Sequence, residues 1–292
     1  MIGRGRVRRG LRVKARSPWH RLARNREASV GLLLIAGMAL GAVLAPALVP
    51  HPPDRMHLDR PLAPPGPEHL FGTDYFGRDV LSRILHGGRI TLGVAVGAQA
   101  LALSLGVTLG LLAGYHGRWV DLIIMRVVEL WLCFPDLLMA VGLAVALGPG
   151  VPSVFLALGL VGWPGVARLV RGEALSLRER EFLEAARAAG VPTSRLLRGH
   201  LLPNCLPAMA VAFTGGMAAC VMAEASLSFL GLGVQPPMPS WGAMLNQGRP
   251  YLHHAPHLVV FPGLAIAACV LGFNLLGDGL RDILDPRSHE FR

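Results

Sequence analysis

Residues 92–115 read LGVAVGAQALALSLGVTLGLLAGY, 24 residues without one charged side chain. A helix needs roughly 20 residues to cross the hydrocarbon core of a bilayer. In that core every backbone amide must be bonded within its own segment, so this stretch is read as a membrane-spanning helix. Working outward, five more apolar blocks meet the same description: Val30–Val49, Val120–Leu147, Val154–Val170, Cys205–Leu230 and Leu258–Leu280. Val120–Leu147 contains Pro135 and is expected to be kinked or tilted. Val154–Val170 is short and interrupted by Trp163-Pro164-Gly165.

The composition agrees. Of 292 residues 52% are hydrophobic, the mean hydropathy is +0.48, and 16% are charged, against roughly 25% in an ordinary soluble domain. The net charge of +10 is concentrated at the N-terminus. Residues 1–28 hold nine Arg and Lys14 against Glu27 alone. With an apolar block directly behind it, this tail reads as a cytoplasmic flank that orients the first span, not as a nucleic-acid site. The block is too long, and its basic lead too extended, for a cleaved signal peptide, despite Ala45-Pro46-Ala47. Lys14 is the only lysine, and it sits in Arg12-Val13-Lys14-Ala15-Arg16. A phosphate-binding loop that ends in Gly-Lys is therefore excluded, and any ATP must be hydrolysed by another chain.

Loop charges set the orientation. With the N-terminus inside, the segment 50–90 lies outside with five Arg against five acids. The loop Arg168–Asn204 lies inside with seven Arg against four Glu, and Gly231–His257 lies outside with Arg249 as its single Lys or Arg. Six spans with both termini in the cytoplasm satisfy every loop. Within the outer segment, Val80, Leu81, Ile84 and Leu85 at helical spacing suggest an amphipathic helix over Tyr75–Gly88 at the outer interface. Asp74, Arg78, Asp79 and Arg83 there either pair locally or meet an outside partner. The four cysteines (Cys133, Cys205, Cys220 and Cys269) read as small buried apolar side chains. Seven histidines fall on the outer side: His51, His57, His69, His86, His253, His254 and His257. None has tight two-His helical spacing with carboxylate support, so no metal site is assigned.

The inner loop is the informative one. Leu175–Ala189 is rich in good helix formers, and Gly190-Val191-Pro192 should stop the helix. Thr193 or Ser194 can cap a second short helix leading to His200-Leu201-Leu202-Pro203-Asn204. Two short helices below a membrane domain make a knob suited to a groove on a soluble partner. Glu184-Ala185-Ala186, then Gly190, then Leu202-Pro203, resembles the EAA motif of binding-protein-dependent ABC importer permeases. The chain is similar to the C-type subunit of the dipeptide, oligopeptide and nickel group. Supporting stretches are His69–Asp74 with Gly77–Arg83, Glu224–Gly233, Pro239–Gly242 and Asn274–Asp282. His200 stands where the general motif has an apolar residue, a feature ordinary in the C-type group.

That resemblance implies an all-α integral membrane protein with six transmembrane helices, both termini cytoplasmic, and the type I ABC importer permease fold. It implies residence in the cytoplasmic (inner) membrane of a prokaryote. The chain divides into a basic tail 1–29, a first span with extracytoplasmic segment 30–90, a core permease domain 91–281 with coupling loop 171–204, and a tail 282–292. Glu184, Ala185, Ala186, Arg187, Gly190, Leu202 and Pro203 are implied to serve the ATPase interface. The implied partners are a homologous second permease, two cytoplasmic ATPase subunits, an extracytoplasmic solute-binding protein and membrane lipid, with no nucleic acid. No cofactor and no catalytic residue is assigned. The solute is expected to be a di- or oligopeptide, with a nickel complex or another small solute as the alternative. Glu224, Asp136 and Asn274 are polar groups inside spans, and such groups are candidates for the translocation path. Glu224 has a structural alternative, a hydrogen-bonded pair with an Arg of another helix, and for Asn274 a helix–helix hydrogen bond is the favoured use. An intramembrane hydrolase lacks a nucleophile and base at one depth. An ion-driven transporter would leave the EAA segment unexplained and lacks a visible inverted repeat.

Overall fold

The computed structural model describes residues 25–49 and 51–284. The basic tail read from the sequence and the end of the C-terminal tail lie largely outside the described residues. Helices carry the described fold, and no strand is present among the described residues. Among the described residues, five helices are long and apolar enough to cross a membrane, or six if one bent pair is counted as a span.

Helix α1 (Arg26–Val43) opens on Asn25, whose side chain accepts from the Ala28 amide at 3.1 Å. A four-residue turn, α2 (Ala45–Leu48), follows it. Helix α3 runs unbroken from Val80 to His116 and is capped by Asp79, which accepts from the Ser82 amide at 2.8 Å. It ends at Gly117, where φ is +63°. The interfacial helix expected over Tyr75–Gly88 is therefore replaced by the first turns of a spanning helix. The reason is that its polar residues are not facing solvent: Ser82 and Arg83 are as buried as Val80 and Ile84.

Pro135 does more than kink the third apolar block. Helix α4 (Arg118–Leu132) and helix α5 (Asp136–Leu147) meet at 89°. Pro164 does the opposite of what its setting suggests, since helix α6 continues through it from Val151 to Arg178. A missing N–H is tolerable inside a packed membrane helix when neighbours support the turn. Here α3 is that neighbour. Cβ atoms added to Gly106, Gly110 and Gly114 would fall 2.5, 2.6 and 2.6 Å from Val166 Cβ, the Ala167 carbonyl oxygen and Ala174 Cβ. The two backbones lie too close for any side chain on that stripe.

Beyond α6 the chain breaks at Glu179-Arg180, earlier than the stop expected at Gly190, and restarts as α7 (Glu181–Ala188). Helix α8 (Thr193–Leu196) has Pro192, not Thr193 or Ser194, at its N-cap, without a side-chain cap. A π-helical turn, Leu197–Leu201, joins it directly to α9 (Leu202–Phe229). The wide turn sits just before Pro203, whose ring would press on the carbonyl of residue 199 in a regular helix. Helix α10 (Trp241–Gly248) tucks against α3 and α9: the Trp241 indole N–H donates to the Ile84 carbonyl at 2.9 Å. Helix α11 (His257–Leu284) returns across the bundle and packs on α1, where a Cβ on Gly31 would stand 2.6 Å from the Gly272 carbonyl oxygen.

The segment between α2 and α3 is closed by buried ion pairs. Asp74 accepts from the Arg78 and Phe76 amides and from Arg78 Nε at 2.6 Å, and Arg83 Nε lies 3.6 Å away. His69 Nδ1 meets Asp79 at 2.8 Å. All of these charged groups are buried, so of the two readings open for Asp74, Arg78, Asp79 and Arg83 the local one holds.

Candidate functional site

Two regions stand out once the fold is assembled: a knob built from α7 and α8, and a concave apolar wall among α3, α5, α6, α9 and α11. Helix α7 has one buried side chain holding it to the bundle. Leu183 is fully buried in a cluster with Val107, Leu111, Val170, Leu201 and Cys205. The rest of α7 faces outward. Glu184, Ala185 and Arg187 are exposed, Ala186 is half-buried, and Phe182 shows 43% of its surface.

The Arg187 guanidinium lies 5.2 Å from the Tyr115 ring centroid, which ties α7 to the end of α3 by a cation–π contact. Below it, Arg171 grips Asp121 with two guanidinium nitrogens and so fixes the start of α4 to α6. Sequence reasoning missed both ties, because the partners are far apart in the chain. Gly190 turns the chain at φ +74° with open space around it. That is the left-handed conformation expected of a helix stop at glycine. Leu202 and Pro203 are placed differently from the rest of the motif. Leu202 packs on the Leu183 cluster, and Pro203 is the second residue of α9.

The three intramembrane candidates separate. Glu224 is completely buried and lines neither concavity. Ser228 Oγ donates to its Oε1 at 2.7 Å, and the Thr91 and Ser240 hydroxyls lie against the same carboxyl. Its hydrogen-bond donor is thus Ser228 on α9, with the Thr91 and Ser240 hydroxyls beside it and Oε2 without a hydrogen-bond partner, not the Arg that a structural pairing had suggested. Asp136 and Asn274 are exposed and face the wall. Asn274 lines a concavity of about 830 Å³ with Phe229, Leu245 and Ile266, among others. Asp136 lines one of about 590 Å³ with Gln99, Gly162 and Ala212. Leu137, Met222 and Ser226 belong to both, so the two are parts of one surface.

In the segment between α2 and α3, His51, His57 and His69 gather with ring centroids 5.0–5.8 Å apart, a grouping that their spacing in the chain did not signal. Among the described residues, no three His, Cys, Asp or Glu side chains are set to hold a metal ion. Cys205, Cys220 and Cys269 are buried as expected, whereas Cys133 is exposed at the bend between α4 and α5.

Comparison with known proteins places this architecture. Residues 106–290 match the family model described as the binding-protein-dependent transport system inner membrane component. Residues 16–65 match the N-terminal transmembrane domain of oligopeptide transport permease C. The dipeptide transport system permease protein DppC of Alkalihalophilus pseudofirmus is 44% identical over 275 residues, which cover 93% of this chain and 90% of that protein. The glutathione transport system permease protein GsiD of Pectobacterium atrosepticum is 42% identical over 279 residues, covering 95% and 92%. A solved structure of the MetNI methionine ABC transporter in an inward-facing conformation aligns with a TM-score of 0.55. It is 20% identical and covers 70% of this chain and 96% of that one, a likeness of fold alone.

Proposed function

This chain belongs to the family of binding-protein-dependent transport system inner membrane components, and from that premise we propose how its parts divide the work of an importer. It is the membrane permease subunit of an ABC importer and resides in the bacterial inner membrane. The reading takes α4 and α5 together as one span, which makes six, with both termini in the cytoplasm. Residues 91–281 act as the permease core, with 171–204 as the coupling loop. Segment 30–90 adds a span and an outer cover. The concave wall faces a homologous second permease, and the solute passes between the two. A solute-binding protein delivers that solute from outside, and two ATPase subunits work from the cytoplasm. The solute is a di- or oligopeptide, a reading supported by relatives named for dipeptides and for glutathione.

The observation that carries the mechanism is the suspension of α7. A helix held by one buried leucine, with Glu184, Ala185, Ala186 and Arg187 along it and Gly190 turning beside it, can enter a groove on an ATPase. Alanines let the surfaces approach closely, and Glu184 and Arg187 offer both signs of charge. Because Leu183 is packed on α3, α6 and the start of α9, a push on α7 is delivered to three elements at once. ATP-driven closure of the two ATPases then becomes a rigid-body movement of helices around the path.

The test is solute-stimulated ATP hydrolysis by the complete complex in liposomes. Gly190→Asp, which places a side chain on a backbone at positive φ, and Glu184→Lys, which inverts a charge, are each expected to lower stimulated hydrolysis at least about tenfold. The purified permease pair should keep its thermal midpoint. Unchanged docking and stimulation in both variants would remove α7 from the coupling role.

A further inference from the structure

We propose that the Asp136 carboxylate is the point on the intramembrane wall that receives the cationic group of the passing solute, the terminal ammonium of a short peptide. The inference rests on the reading of that wall as one side of the path.

Asp136 is the single charged side chain among the residues that line either concavity. It lies opposite the middle of α6 and α9, sharing its concavity with Val161, Gly162 and Gly216. A charge at that depth is costly and persists where it meets water or an opposite charge. No ion pair to Asp136 is present among the described residues. The 89° bend makes it the first residue of α5, so the unpaired amides of that turn favour an anion there. This explains how the charge is tolerated without an arginine beside it. It does not explain why the side chain is turned to an open cavity.

The other polar side chains that line Asp136's own concavity are already engaged. Gln99 Nε2 donates to the Ala212 carbonyl at 3.3 Å, and Ser226 Oγ donates to the Met222 carbonyl at 2.8 Å. Asp136 is thus the strong acceptor left free toward the cavity, among Leu137, Met222 and Val166. Low-dielectric surroundings strengthen a charge-assisted hydrogen bond to an ammonium. Neither concavity is lined by a cation, so an anionic solute finds no opposite charge on this wall.

The experiment uses the complete complex in proteoliposomes. The probes are an equimolar mixture of alanyl dipeptides and the same mixture N-acetylated, with import read by mass spectrometry. Asp136→Asn keeps the shape and removes the charge. It is expected to lower import of the free-amine set about tenfold, as the loss of one charge-assisted hydrogen bond would. Asp136→Glu should restore most of it, and the second permease should still co-purify. Ser226→Trp, which fills the stretch shared by the two concavities, should stop import altogether.

If Ser226→Trp blocks import and Asp136→Asn does not, the path stands and the cation site is wrong. If Ser226→Trp leaves import intact, the wall is not the path and both ideas fall. If Asp136→Asn releases the second permease, the carboxylate is a subunit contact and the inference is overturned. A wild-type complex that imports the acetylated set as well as the free one, or imports neither, also overturns it.

Discussion

At the scale of single residues, burial sorts polar groups that look alike in the sequence. Glu224 and Asp136 are both acids in apolar blocks, yet one is enclosed by hydroxyls and the other faces a cavity. Ser228 makes the enclosure a relay: it donates to Glu224 while accepting from the Val234 amide at 3.2 Å. Glu224→Ala leaves the facing hydroxyls unpaired and opens a void, which should destabilise the protein by about 3 kcal/mol. Glu224→Gln fills the same volume and keeps an acceptor for the Ser228 hydroxyl, and it should stay within about 1 kcal/mol of wild type. Unfolding in a mixed detergent–SDS titration checks both. The sequence marked these two acids as special because ionisable groups are costly in lipid, but helical period alone did not say which face of α9 or α5 was covered.

At the scale of elements, small residues decide how close helices come. The glycine stripe of α3 seats against α6 along Gly106, Gly110 and Gly114. Gly110→Ala would put a methyl group against the Ala167 carbonyl oxygen and Val170, and overpacking of this kind costs about 1–3 kcal/mol. Gly142→Ala on α5 meets nothing within 4 Å. That control should be neutral or slightly stabilising, because alanine is the better helix former. Thermal midpoints of the two purified variants separate packing from propensity. The apolar runs made the spans legible, and Pro135 marked the place of the bend. The prolines misled about outcome. Pro164 leaves α6 whole because α3 clasps that helix, while Pro135 accompanies an 89° turn where the flanking residues 132–138 are exposed.

At the scale of the whole molecule, the outer cover, the bundle and the knob lie in that order across the membrane in the proposed orientation. Single cysteines on a background free of Cys133, Cys205, Cys220 and Cys269 can test it. An impermeant maleimide should label Arg60→Cys in intact cells and Arg195→Cys only in inverted vesicles, and the reverse pattern would invert the topology. The sequence by itself determined the membrane class, the apolar spans and the place of the knob, because length, hydropathy and the Gly-Pro stop act locally along the chain. It also carried the family motif, which is contiguous. Only the tertiary structure decided that Leu183 anchors α7, that Arg171 holds Asp121, that His51, His57 and His69 cluster, and that Asp136 and Asn274 share a wall from which Glu224 is excluded. Those facts depend on which helix faces meet. Close approach of backbones across glycine and alanine sets those faces, and no local pattern of hydropathy records it.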